Sequence, residues 1–307
     1  MFLFILYHGR NTMSDLIYKR NRKRYLLLIL PAFILYTFTL VIPLLGGTFP
    51  NALTNWNLMK GTKQFVGLDN YIRLLQDKNF QQAIVFTLIL GIVTIIFTNL
   101  LAFITAFFLS EKIFGGSISR AMFFLPNIIS GVMVSYVWYF IFTRAIPDVG
   151  KMLSNHFLSN ISWFGTPGFA FAATTIVSVW QGTGFLMILY IAGLQTIPKD
   201  VLEAAKLDGC VGIKKIAYIE LPLLMTTVTV NLFVSIANSF KAFDIPFALT
   251  GGGPGGSTQT IALDIYNDAF GSFKMGYGSA KSIILFLLVG IIALIQLKIT
   301  RKREVQM

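Results

Sequence analysis

QQAIVFTLILGIVTIIFTNLLAFITAFFL, residues 81–109, contains no charged side chain. A bilayer core takes about 20 mostly apolar residues as helix, so this run alone is long enough to cross one. Five further runs resemble it: Tyr25–Gly46, Ser119–Phe142, Phe169–Leu194, Ile219–Phe240 and Ser279–Leu297. The third is interrupted by LPN (125–127), and the fifth begins at LP (221–222). Proline is tolerated in such spans where neighbouring helices re-satisfy the backbone. Mean hydropathy is +0.71. Charged residues make up 12% of the 307, against about 25% in a soluble domain. The expected fold class is an all-α integral membrane protein with six transmembrane helices.

Net charge is +12. The basic residues flank apolar runs in short clusters, a pattern of membrane topology rather than nucleic-acid binding. YKRNRKRY precedes the first run and KITRKRE follows the last. Placing both in the cytoplasm also puts Lys112, Arg120, Lys199, Lys206, Lys214 and Lys215 inside. Most lysines and arginines then lie on the cytoplasmic side, which supports six spans with both termini inside. Cys210 is the sole cysteine, so no intrachain disulfide forms. His8 and His156 are too far apart in sequence to suggest a metal site, and no cofactor is expected. The apolar part of residues 1–12 is too short to span or to act as a signal core, and Met13 opens a more ordinary start.

Two outer loops have their own character. Residues 51–79 are polar, and VGLDNYIRLL within them predicts a short amphipathic helix, with Asp69 as its cap and Tyr71, Leu74 and Leu75 on its apolar face. LTGGGPGGSTQT (249–260) sets five glycines around a proline and cannot form helix or regular strand. It lacks the lysine of GxxxxGK[ST], and no other stretch supplies that motif. Any energy from ATP must therefore come through another protein.

Between the fourth and fifth runs lies a polar island, TIPKDVLEAAKLDGCVGIKKIAYIELP (196–222). Pro198 suits the first turn of a helix and Asp200 its positive end. Gly209 fits just past the helix end. A helix over Pro198–Asp208, a turn and a second helix over Gly212–Glu220 make a cytoplasmic elbow. Val201, Leu202 and Ala205 give it a small apolar face, Ala204 and Ala205 allow close approach, and Glu203 and Asp208 add orienting charge. The exposed residues are not base-reading ones, so the elbow is a partner-docking element rather than a DNA reader.

This island resembles the EAA signature of the permease subunits of ABC importers. Glu203-Ala204-Ala205, Asp208-Gly209 and Ile219-Glu220-Leu221-Pro222 carry the likeness. Cys210 stands where that family usually has alanine, and both are small. FVGLDNYIRLL, FFLPNIISGVMV, LQTIPKDVLEAAKLDG and LTGGGPGGSTQT are similar to carbohydrate-importer permeases of the maltose and glycerol-phosphate type, from about Lys23 to Arg301. The resemblance implies a type I importer permease fold with a cytoplasmic coupling helix, in which Glu203, Ala204, Ala205, Asp208 and Gly209 couple to the ATPase. It also implies a second related permease as heterodimer partner, a cytoplasmic ABC ATPase dimer, an extracytoplasmic sugar-binding protein and a carbohydrate substrate, in membrane lipid and without nucleic acid. The implied division is a cytoplasmic tail (1–24), a first helix (25–46), an extracytoplasmic loop (47–80), a five-helix permease core (81–299) and a cytoplasmic tail (300–307).

Polar residues inside spans line a path or a helix contact. Asn231, Ser235, Asn238 and Ser239 share one face of the fifth run. Ser178, Gln181, Gly182 and Phe185 do so in the fourth, and Asn127, Ser130 and Gly131 follow Pro126 in the third. These are uncharged donors and acceptors with glycine clearance and an aromatic for stacking, the chemistry a neutral polyol needs. Matching to the maltose-type family selects Asn127, Gly131, Ser178, Gln181, Gly182, Phe185, Ser235, Asn238 and Ser239 as the implied substrate path. Some bulky aromatic contacts of that family are absent.

Two other classes fit less well. An ion-coupled secondary transporter favours acids buried in spans, whereas Glu111, Asp148, Glu203, Asp208 and Glu220 fall at or beyond span ends and Asp244 near the outer edge. An integral membrane enzyme needs a nucleophile–base or metal constellation, and no catalytic set stands out.

Overall fold

The computed structural model describes residues 27–110 and 115–302. The tail 1–24, Tyr25, Glu111, Lys112 and residues 303–307 lie outside the described residues. The chain divides into two compact units, Met1–Asn51 and Ala52–Met307. The first holds all but the last residue of the apolar helix α1, Leu27–Ala52. Wider π turns occur at Thr37–Val41 and Pro43–Thr48, the second beginning at a proline that has no N–H to donate.

The second unit opens with a loop closed by isolated antiparallel bridges, Thr54 to Phe65 and Asn57 to Thr62. Helix α2 (Asp69–Gln76) follows. Asp69 is not its cap, contrary to expectation: Leu68 holds the N-cap position, and Asp69 lies in the first turn, paired with Arg73 at 2.7 Å. The buried face carries Asn70 and Leu74, while Leu75 is exposed. Asn70 donates to the carbonyls of Ala52 and Thr54, at 2.8 and 2.9 Å, which ties α2 to the start of the loop.

Helix α3 runs Lys78–Ser110, three residues earlier and one later than the uncharged run. Helices α4 (Gly116–Ile128) and α5 (Gly131–Met152) form a pair bent by 100°. The third span, interrupted by LPN in the sequence, is therefore broken just beyond that tripeptide. Ile129 and Ser130 are extended, with ψ of 139° and 137°. The carbonyl of Ile129 accepts a bond from Gln181 Nε2 at 3.0 Å, the kind of partner that lets irregular backbone persist at membrane depth. Helix α6 follows (Pro167–Gln195), then α7 (Lys199–Leu207). Helices α8 (Ile213–Leu223) and α9 (Met225–Ser239) make a second pair, bent by 76°. A short α10 (Ile261–Tyr266) precedes α11 (Met275–Arg301). Helices α1, α3, α6 and α11 are each long and apolar enough to cross a membrane, and counting each bent pair as one span gives up to six.

Side-chain contacts fix the two ends of the bundle. Arg120 at the start of α4 donates to the Leu109 carbonyl at the end of α3, 3.1 Å from Nε. Gln296 near the end of α11 donates to Thr229 near the start of α9, at 3.2 Å. Opposite, the starts of α3 and α11 meet where the Tyr277 hydroxyl donates to Asp77 at 2.8 Å. Between the ends, α3 and α6 pack through Ala102, Ala106, Leu186, Met187, Tyr190 and Ile191, all buried. Gly184 of α6 lies so close to α4 that an added Cβ would stand 1.9 Å from the Phe123 carbonyl oxygen.

Near the Asp77 end sits a charged cluster. Lys281, 1% exposed on α11, binds carboxylates of Asp264 and Asp268 and lies 3.6 Å from Asp77. Its ammonium also faces the rings of Tyr277 and Phe80, at 4.9 and 5.2 Å. Burial pushes the Asp77 carboxyl up, but the Tyr277 hydroxyl, the Phe80 and Asn79 amides and Lys281 together hold it below its usual range.

Candidate substrate path and coupling elbow

A cavity of about 470 Å³ opens among α3, α6, the break between α4 and α5, and the end of α9. That volume falls within the range of small-molecule sites. Asn127, Gly131, Ser178, Gln181, Gly182, Phe185, Ser235, Asn238 and Ser239 all line it. The α4–α5 break contributes Asn127 and Gly131 from opposite sides of its extended residues. Gly131 is needed there, because a Cβ would lie 2.8 Å from that of Asp244. Gly182 gives clearance on the facing wall, where a Cβ would meet the Thr98 methyl at 3.2 Å.

Not every polar group on the wall is free to bind a solute. Ser235 donates to the Asn231 carbonyl at 2.6 Å and accepts from Asn99 Nδ2 at 2.8 Å. Asn99 in turn accepts from the Tyr190 hydroxyl at 3.0 Å. Ser178 donates to the Thr174 carbonyl at 2.8 Å. Gln181 uses an amide hydrogen at the α4–α5 break, so it positions the wall as well as lining it. Asn231, on the polar face marked in the sequence, is fully buried and donates to the Leu186 carbonyl at 3.3 Å. Ser130 serves as the N-cap position of α5.

Sequence reading missed other lining residues: Thr94 and Thr98 of α3, and Lys241 and Asp244 beyond α9. Asp244 lines the cavity rather than lying apart from it. Three further charges lie outside the expected site residues. Lys281 falls inside the sixth apolar run, and Asp264 and Asp268 lie 17 and 13 residues before it. A lysine inside such a run is the sequence signal that acidic partners lie elsewhere in the chain. Glu220, expected at a span end, is only 4% exposed within the α8–α9 pair and binds Lys215 at 2.9 Å.

The elbow begins with α7. Pro198 occupies its N-cap position and Asp200 lies in its first turn. At its other end the Cys210 N–H reaches the Ala205 carbonyl at 2.8 Å, and the Gly209 N–H reaches that of Lys206 at 3.2 Å. These bonds form a Schellman motif, and Gly209 has the positive φ it requires, 72°. The second arm is mixed: an α turn at Ile213–Lys215, then π turns over Ile216–Glu220. Ala205 is buried inward, while Glu203, Ala204, Asp208 and Gly209 are exposed. Leu207, Ile213 and Tyr218 also stand out from the chain, at 88%, 81% and 74% exposure. Among the described residues no cluster of three metal-ligating side chains occurs.

Residues 98–305 match the family model described as binding-protein-dependent transport system inner membrane component. The chain belongs to this family, whose members are membrane-embedded permease subunits of ABC importers rather than enzymes. Among its relatives is the probable starch degradation products transport system permease protein AmyD of Thermoanaerobacterium thermosulfurigenes, 36% identical, covering 94% of this chain and 97% of that protein. The multiple sugar-binding transport system permease protein MsmF of Streptococcus mutans is 38% identical, covering 91% and 95%. The fold matches a chain of the bacterial alginate ABC transporter solved in complex with an alginate pentasaccharide-bound periplasmic protein. The TM-score is 0.78 at 22% identity, covering 95% of this chain and 98% of that one.

Proposed function

We propose that this permease forms half of the translocation path for a sugar or oligosaccharide. A second, related permease supplies the other half, and a cytoplasmic ATPase dimer supplies the energy. An extracytoplasmic sugar-binding protein delivers the solute. Both termini are cytoplasmic, and the core over residues 81–299 carries the path. The observation behind this reading is the convergence of nine polar, glycine and aromatic residues from three spans on one cavity. Its lining is largely uncharged, apart from Lys241 and Asp244, which suits a neutral polyol better than an ion. The carbohydrate solutes in the names of AmyD and MsmF point the same way.

Asn238→Leu tests it. Loss of a solute hydrogen bond worth about 0.5–1.5 kcal/mol should slow uptake by a few-fold to about tenfold. Complex yield and basal ATPase should stay near wild type, because leucine adds no polar burden to the bilayer. Unchanged uptake by a normally assembled variant would move the solute site to the partner subunit. Dissociation of the subunits would instead make Asn238 a helix contact.

Helix α7 is the element we assign to the ATPase, with Leu207, Ile213 and Tyr218 adding exposed apolar surface around it. Gly209→Asp should then uncouple the importer. A Cβ there meets nothing within 4 Å, so the penalty is conformational. A left-handed residue other than glycine costs about 1–2 kcal/mol, and a second carboxylate beside Asp208 opposes the negative end of α7. Uptake should fall at least several-fold while the complex still assembles. Wild-type uptake would show that the turn does not transmit the ATPase's motion.

A further inference from the structure

The threonines of α3 do not behave alike. Thr87 donates to the Ala83 carbonyl and Thr105 to that of Leu101, each at 2.7 Å. Thr174, Thr175, Thr183 and Thr229 make the same bond one turn back in their own helices. Such back-bonding is the usual way for a hydroxyl to be satisfied within a span. Thr94 and Thr98 depart from it. They are 7% and 4% exposed, and neither hydroxyl oxygen has a hydrogen-bond partner. Both line the cavity.

Their spacing of four residues places them on one face of α3, about 6 Å apart along its axis. The Thr98 methyl is the atom nearest to Gly182. Ser235 and Ser178, by contrast, have each committed their single proton to a backbone carbonyl. Buried polar groups in native proteins are almost always paired, so two orphans on one cavity wall indicate a missing partner there.

We infer that Thr94 and Thr98 are a further pair of solute-binding residues, a wall supplied by α3, whose hydroxyls, covered in this state, bond successive hydroxyl groups of a neutral oligosaccharide as the cavity widens. This rests on the reading of the cavity as the solute path. A hydroxyl both donates and accepts, so the pair suits a ligand whose own groups do the same. A saccharide passing along α3 would exchange one threonine for the next without either having to leave a backbone bond first.

The test uses the whole importer in proteoliposomes, with radiolabelled maltose, maltotriose, trehalose and raffinose. Thr94→Val and Thr98→Val remove only the hydroxyl, and Thr94→Ser and Thr98→Ser keep it. Each valine variant should lower the initial uptake rate about three- to tenfold. The double variant should lose more, and the serine variants should recover. Thermal stability of the sugar-free complex should be unchanged or higher in the valine variants, since no internal bond is lost. A fall in stability would make the hydroxyls structural and overturn the inference. Wild-type uptake by both valine variants, with Asn238→Leu impaired, would remove α3 from the path while leaving the cavity reading intact. If Asn238→Leu is also neutral, the cavity reading itself fails. Failure of the wild-type importer to take up any of the four sugars would overturn the ligand class.

Discussion

Lys281→Met should leave little assembled protein in the membrane. The lysine is 1% exposed and holds Asp264 and Asp268 directly, with Asp77 at 3.6 Å. Removing it leaves the carboxylate of Asp264, itself 4% exposed, without its cation. Breaking a buried ion pair from one side costs about 3–5 kcal/mol, a large share of the roughly 5–15 kcal/mol that holds a domain folded. The ion pairs that join α11 to α10 and to the start of α3 would go with it. Fluorescence-detected size exclusion of the solubilised complex measures the effect. Adding Asp264→Asn and Asp268→Asn to the same chain should recover part of the yield, because the stranded charges are then gone. Wild-type yield from Lys281→Met alone would mean that the cluster contributes no net stability.

Gly184→Leu should separate α4 from α6. The atoms that an added Cβ meets are backbone: the Phe123 carbonyl oxygen at 1.9 Å, its carbon at 2.6 Å and Phe124 Cα at 2.9 Å. No rotamer change can relieve that contact, so a whole helix must shift. Overpacking a well-packed site costs about 1–3 kcal/mol even when side chains can move, and here they cannot resolve the clash. The expected result is a complex yield reduced several-fold, with uptake reduced further because α4 and α6 also build the cavity. Gly290→Ala is the control, since nothing lies within 4 Å of its added Cβ. Equal yields from the two variants would show that the crossing is looser than its geometry indicates.

Hydropathy located most of the apolar helices to within a few residues. Expected runs 81–109 and 169–194 correspond to Lys78–Ser110 and Pro167–Gln195. Whether a run is one helix or two was not legible in the same way. Apolarity reports the solvent around a segment, whereas the 100° and 76° bends depend on local backbone and on partners such as Gln181, which lies 52 residues from Ile129. The polar cavity residues were legible because asparagine, glutamine and glycine are conspicuous among leucine and phenylalanine. Thr94 and Thr98 were not, since threonine in a span is ordinarily satisfied by its own helix. Lys281 was conspicuous in its apolar run, but its pairing with Asp264, Asp268 and Asp77 was not legible because it depends on how separate helices pack.

Bracing contacts are unevenly distributed along this molecule. The charged clasp around Lys281 braces one end, and the apolar seam between α3 and α6 braces the middle. The elbow carrying α7 stands at the other end, joined to the bundle by α6 on one side and through the α8–α9 bend at Leu224 on the other. Strain applied there collects in the most compliant members, and the two helix breaks are among the places where the regular backbone ladder is interrupted. One of them, at Ile129 and Ser130, forms part of the cavity wall. In the proposed coupling, a push on the elbow changes the bore of the cavity rather than displacing the braced end, much as a lever with one fixed end turns at its hinge.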